Sequence, residues 1–143
     1  MFIGSAIEQQ QSRSPASLDI RSPEPVNQAV SAAEIRSLIK ARRLRDKYFN
    51  PELFADPAWD MMLDLLAAKL EHVKVSVSSL CIAANVPPTT ALRWIKSMTD
   101  EKIFERRADD HDGRRIFVQL SDHAAAALVG YFLMVRRERL MIV

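Results

Sequence analysis

From residue 31 onward, apolar positions recur at helical spacing, interrupted by two short strand-like stretches between residues 103 and 120. Ser31-Ala-Ala-Glu34 is a capping box, in which a serine hydroxyl and a glutamate carboxylate satisfy amides left open at a helix start. Ile35, Leu38 and Ile39 follow in phase, and the helix is expected to stop near Asn50-Pro51, because the residue before proline resists the α region. Asp56-Pro57 predicts a second start, with Asp56 as N-cap and Pro57 at the first helical position. Trp59, Met62, Leu63, Leu66 and Leu70 then form one apolar stripe that ends near His72. Val73-Lys-Val75 reads as a short β-like run. Ser76 caps a third helix with Leu80, Cys81 and Ala84 inward. Asn85-Val86-Pro87 breaks it, since asparagine tolerates a left-handed C-cap. Pro88 opens a fourth helix, running to about Glu101, with Ala91, Ile95 and Met98 on its inner face. Two strands, Ile103 to Ala108 and Arg115 to Leu120, flank the turn-rich loop Asp109-Asp-His-Asp-Gly-Arg114. Ser121 caps a final helix through Leu128, Phe132 and Val135.

The order is helix, short strand, helix, tight turn, helix, hairpin, helix. It predicts a mainly α fold with a small β-hairpin: a winged helix-turn-helix with flanking N- and C-terminal helices. Residues 1–30 are expected to be a disordered tail, given Pro15, Pro23, Pro25, a glutamine run and many serines. Residues 31–56 form an N-terminal helix and connector, 57–120 the DNA-binding domain, and 121–143 a C-terminal helix.

In such a fold the helix after the turn enters the DNA major groove, with its N-terminal residues facing base edges. Thr89, Thr90, Arg93, Lys96 and Ser97 lie opposite the inward residues of helix 88–101. Arginine forks onto guanine, and threonine bonds a base or phosphate or touches a thymine methyl. Taken alone, this face suits a solvated amphipathic helix better than a DNA-reading one. The hairpin changes the weighting. Wing 106–115 carries Arg106 and Arg107 on one strand and Arg114 and Arg115 at the base of the other. Arginines at a hairpin tip suit a narrow minor groove, where the potential is most negative. Asp112 is placed to pair with a wing arginine and hold its pose.

The stretch Asp112-Gly-Arg114-Arg-Ile-Phe-Val-Gln-Leu120-Ser121 resembles the wing signature of MarR-type transcription regulators: Asp-x-Arg, five residues, then Leu-Ser/Thr. Val77 to Val86 is similar to that family's first helix and turn, and Thr89 to Met98 to its recognition helix. The resemblance covers roughly residues 57–130. It implies that Thr89, Thr90 and Arg93 meet the major groove and that Arg114, helped by Arg115, reaches the minor groove. Asn85 and Lys102 stand where the family usually has glycine, and Pro87 where it has a serine or threonine cap.

Composition adds limits. The chain has 143 residues, 20 Lys+Arg against 18 Asp+Glu, and one cysteine, so a disulfide framework is excluded. None of its three glycines sits in a phosphate-binding loop. The N-terminal MFIGSAI lacks a basic start, and the longest apolar run, Ala124 to Val135, is too short to span a bilayer, which takes ~20 residues. A soluble, cytoplasmic protein is expected, with no membrane partner. The three histidines and the loop aspartates show no metal-ligand spacing, and no nucleophile–base arrangement stands out, so no metal, cofactor or enzyme activity is expected. Cys81 reads as an inert core thiol in preference to a redox sensor. The run Arg42-Arg43-Leu-Arg45-Asp-Lys47 reads as a solvated helix face in preference to a phosphate contact.

The expected function is sequence-specific binding of double-stranded DNA in transcriptional regulation. The nearly apolar C-terminal helix points to a homodimer through the N- and C-terminal helices. A small-molecule effector is compatible with this reading, and the sequence names none. The alternative is a winged-helix protein–protein interaction module that does not read DNA, which the small net charge of +2 permits.

Overall fold

The computed structural model describes residues 29–141. The tail expected over 1–30 therefore lies outside the described residues, except for its last two, and Val30 is already packed in the core. Five helices and three strands follow: α1 (Ala32–Leu44), α2 (Pro57–Glu71), β1 (Val75–Ser76), α3 (Val77–Ala83), α4 (Pro88–Asp100), β2 (Phe104–Ala108), β3 (Ile116–Leu120) and α5 (Asp122–Arg137). Short 3-10 turns at Arg45–Lys47 and Pro51–Phe54 join α1 to α2.

Three of the four expected caps form. The Ser31 hydroxyl accepts the Glu34 amide at 3.2 Å while Glu34 accepts the Ser31 amide at 2.9 Å. Ser76 and Ser121 accept the Ser79 and Ala124 amides, each at 3.1 Å. Asp56 does not cap: its side chain accepts none of the amides at the start of α2, and its carboxylate stands 3.9 Å from Arg42 instead. The first helix also ends earlier than expected. It is α-helical only to Leu44, then tightens into the 3-10 turn, and Asn50 caps the next turn by accepting the Glu52 amide at 2.9 Å.

The apolar stripe read along α2 is only partly the buried one. Met61, Leu63, Leu65, Leu66, Ala67 and Ala68 are buried, whereas Trp59, Met62 and Leu70 are half-buried. The cause is position: α2 packs on α1, α3, α4 and β3, so it buries more than one stripe. Around it Ile35, Leu80, Ile95, Phe104, Val118 and Leu120 complete the core.

The strands form one antiparallel sheet in the order β1-β3-β2, with Val75 opposite Val118 and Phe104 opposite Leu120. Thus the expected hairpin gains a third strand from the β-like run before α3. Three of the helices end on a left-handed residue that is not glycine: His72 after α2, Lys102 after α4 and Arg139 after α5. At each, two backbone bonds close the last turn, as at Lys102, where Lys102 N donates to Thr99 O and Ile103 N to Met98 O, both at 2.9 Å. Asn85 after α3 is also left-handed, with φ of 57°, and its N donates to Ile82 O at 3.1 Å.

Candidate nucleic-acid interface

The short link Asn85–Pro87 turns α3 sharply into α4. Ala91, Ile95 and Met98 anchor α4 in the core, which turns Thr89, Arg93, Lys96 and Ser97 to solvent; Thr90 is half-buried at the edge of this face. Pro87 precedes the helix without a side-chain acceptor, so the first amides of α4 are open to an external one. The inward and outward faces expected for α4 from spacing alone match this placement. What spacing missed is Asp100, one turn beyond Lys96, which takes the Lys96 ammonium at 2.8 Å. The pair is largely exposed, so it restrains Lys96 only weakly.

The wing is a structured turn. Asp109 accepts the His111 amide at 3.0 Å, and Arg115 N donates to Asp112 O at 2.9 Å. The Asp112 carboxylate then takes three donors from one residue. These are Arg114 N at 3.0 Å, Nε at 3.1 Å and Nη2 at 3.3 Å. The fork of guanidinium on carboxylate fixes the guanidinium plane while 90% of the Arg114 side chain stays exposed. The Arg114 hydrogen bonds hold the Asp112 carboxyl below its ordinary range. Gly113 does not use a glycine-only backbone here, and a Cβ there would meet nothing within 4 Å.

Behind the tip, Arg107 pairs with Glu105 at 3.4 Å. The Arg115 guanidinium and the Lys74 ammonium both lie over the Phe117 ring, at 5.4 and 5.3 Å from its centroid. Lys74 comes from the strand-like run before α3, and no local sequence signal ties it to the wing. α4 packs against β2, so the outward face of α4 and the wing belong to one framework.

The basic run at the C-terminal end of α1 and the turn after it is not a solvated face. Arg42 is buried and donates to Asp60 at 2.7 Å, Arg43 donates to the Ala83 carbonyl, and Arg45 lies over Phe54. These partners sit outside the run itself, where spacing cannot reveal them. Cys81 is half-buried, and desolvation pushes its thiol above the ordinary range. It lines an open, largely apolar groove of about 1000 Å³ with Val77, Ile82, Val86, Pro88 and Leu92. Among the described residues, no three His, Cys, Asp or Glu side chains gather as metal ligands, and no helix is long and apolar enough to cross a membrane.

A second apolar surface lies on α5. Ala125, Leu128 and Phe132 face the core, leaving Tyr131, Leu133 and Met134 exposed. Trp59 stacks edge-on to Tyr131 at 5.5 Å and tilts against Phe132 at 6.0 Å.

Fold and site together define a winged helix-turn-helix protein with an arginine-tipped wing. No family model and no curated protein matches the chain. Among solved structures it is similar to a probable transcriptional regulator from Pseudomonas aeruginosa, at 27% identity over 52% of this chain and 55% of that one, with a TM-score of 0.41. It is also similar to MepR of S. aureus in a MepR–DNA complex, at 16% identity over 76% of this chain and 80% of that one, TM-score 0.48. A third likeness is to S. aureus MepR bound to ethidium bromide, at 14% identity over 96% and 78% of the two chains, TM-score 0.49. This chain thus matches about half the length of the Pseudomonas regulator.

Proposed function

We propose that this chain is a MarR-type transcriptional regulator that reads a double-stranded DNA site as a cytoplasmic homodimer. One observation carries the reading: an anchored helix after a tight turn presents Thr89, Arg93, Lys96 and Ser97 outward, on the same framework as a wing whose tip arginine is forked on Asp112. In the proposed complex the N-terminal half of α4 enters the major groove, where Arg93 reads a guanine and Thr89 and Thr90 contact a base or phosphate. Ser97 and Lys96 meet the flanking backbone. Arg114 enters the minor groove with its guanidinium already oriented, and Arg115 supports it from the Phe117 ring. Such pre-orientation lowers the entropy lost on binding.

The dimer uses the exposed face of α5. Tyr131, Leu133 and Met134 are exposed apolar side chains on α5, with Trp59 stacked on Tyr131, and the described residues leave them uncovered. The proposed assembly sets two α4 helices on half-sites related by a two-fold axis.

Selection from a random duplex library tests this reading. The expected product is a palindrome whose binding weakens as salt rises. Arg93→Ala should cost ~1–3 kcal/mol at the selected site and relax one base position. If no duplex is retained even at low ionic strength, the protein-interaction reading replaces this one.

A further inference from the structure

The turn that leads into α4 is held from outside the DNA-reading unit, by the C-terminal end of α1. Arg43 is half-buried and donates from Nη2 to the carbonyl of Ala83. Ala83 is the last residue of α3, so its carbonyl has no partner inside the helix, and a guanidinium there also meets the negative end of the helix dipole. Two residues on, Asn85 adopts its left-handed backbone and donates from Nδ2 to Asp46 Oδ2 at 3.4 Å. Arg43 and Asp46, three residues apart, thus hold the first half of the sharp bend between α3 and α4, at Ala83 and Asn85.

The grip has a firm base and a short reach to the site. Next to Arg43, Arg42 is buried against Asp60, so this end of α1 is fixed on α2 and does not swing freely. After Asn85 only Val86 and Pro87 precede α4, and Pro87 and Pro88 restrict the backbone of that link. Movement of the turn therefore passes to Thr89 and Arg93 with little slack. At its other end α1 is tied to α5, where Glu34 accepts Arg136 at 2.8 Å. One helix thus connects the proposed dimer-forming helix to the bend that aims the recognition helix.

We propose that Arg43 and Asp46 are positioning residues: through Ala83 and Asn85 they set the angle at which α4 is presented to DNA. The proposal rests on the DNA-binding reading for its consequence, though its geometry is testable without DNA. Neither residue is required to touch the nucleic acid.

The test uses Arg43→Met, Arg43→Lys and Asp46→Ala in the full chain. Affinity is measured for the selected duplex and for random duplex across a salt series. The chain has two tryptophans, Trp94 on α4 and Trp59 on α2, so two indole N–H resonances report the two places separately by NMR. Arg43→Met should lower affinity for the selected site by ~10-fold, the scale of one charged hydrogen bond, and leave random-duplex affinity and the salt slope unchanged. Arg43→Lys should recover most of the loss. Without DNA, Arg43→Met and Asp46→Ala should shift the Trp94 resonance and leave that of Trp59 in place. The Asp46–Asn85 bond is exposed, so Asp46→Ala keeps the test alive should Arg43→Met fail to fold. Parallel losses on selected and random duplex with a shallower salt slope would make Arg43 a phosphate contact and overturn the proposal. So would unchanged Trp94 signals in both variants. If the wild type binds no duplex, the DNA reading fails by itself, and the Trp94 resonance alone decides whether α1 positions α4.

Discussion

The ion pair between Arg42 and Asp60 offers the sharpest test of how α1 is held on α2. Only 7% of the Arg42 side chain and 12% of the Asp60 side chain are exposed, and Nε donates to Oδ1 at 2.7 Å. Asp60→Ala removes the close carboxylate and leaves a guanidinium with little water around it. Asp56 is a second carboxylate, at 3.9 Å and half-exposed, and compensates in part. Breaking a buried pair from one side costs ~3–5 kcal/mol. With Asp56 in reach, the lower figure of ~3 kcal/mol is expected. At ~2.1 cal/mol/K of unfolding entropy per residue, a domain of ~110 residues loses ~0.23 kcal/mol per degree, so Tm should fall by ~13 °C. The double variant Arg42→Met with Asp60→Leu removes both charges and keeps apolar volume. It should lie within ~1 kcal/mol of wild type, because desolvation of the pair offsets most of its attraction. Urea titration of the wild type, Arg42→Met, Asp60→Leu and the double variant closes the cycle, with Asp60→Ala measured beside it. A cost below ~1 kcal/mol for Asp60→Ala would show that water reaches Arg42 in solution, and the picture of α1 fixed on α2 would be wrong.

Three further outcomes follow from particular contacts. Lys102 holds a left-handed backbone that glycine adopts freely, so Lys102→Gly should stabilise by ~0.5–1 kcal/mol in thermal melts, with φ of 63° as the cause. Burial pushes the Glu34 carboxyl up, but the Ser31 amide and the Arg136 guanidinium outweigh it and hold the carboxyl below its ordinary range. The tie from α1 to α5 is therefore fully present above the unfolded carboxyl's pKa of ~4.3 and lost as pH falls through the lower folded value. Glu34→Gln should flatten that acid limb of the stability curve, and an unchanged limb would refute it. Finally, log K for DNA plotted against log salt should have a slope of roughly −3 to −4 per protomer, as three or four phosphates are neutralised. A slope near about −7 would show that the carboxylate partners of the basic residues are displaced.

What the sequence disclosed was local. The caps at Ser31, Ser76 and Ser121, the left-handed Asn85 and the Asp112–Arg114 fork all depend on residues within three positions of each other. The outward face of α4 was legible because the helix buries one side only, so Ala91, Ile95 and Met98 set its phase. α2 misled because it is covered from several directions, and a single stripe underestimates such a helix. The basic run of α1 misled for a different reason. Arg42 meets Asp60 eighteen residues away and Arg43 meets Ala83 forty residues away, and nothing in local spacing announces either partner. The same distance hid the pairing of β1 with β3: the β-like run read over residues 73–75 becomes the strand Val75–Ser76 only through that pairing.

On the proposed DNA-binding reading, charge pairing explains how a chain of net charge +2 would suit a DNA ligand. Residues 85–120 carry seven basic and six acidic residues, which looks unpromising if charges are merely counted. In the fold the acids have particular tasks: Asp100 restrains Lys96, Glu105 restrains Arg107, and Asp112 orients Arg114. These pairs are exposed and individually weak, so a phosphate can compete for each cation. The cost of that competition lowers affinity for DNA of any sequence. It falls least where the carboxylate and the ligand are served by one pose, as at Arg114, whose fork leaves the side chain 90% exposed. Under the proposed function, a site built this way would give up non-specific attraction and gain discrimination, because binding would depend on a few oriented arginines meeting the right bases.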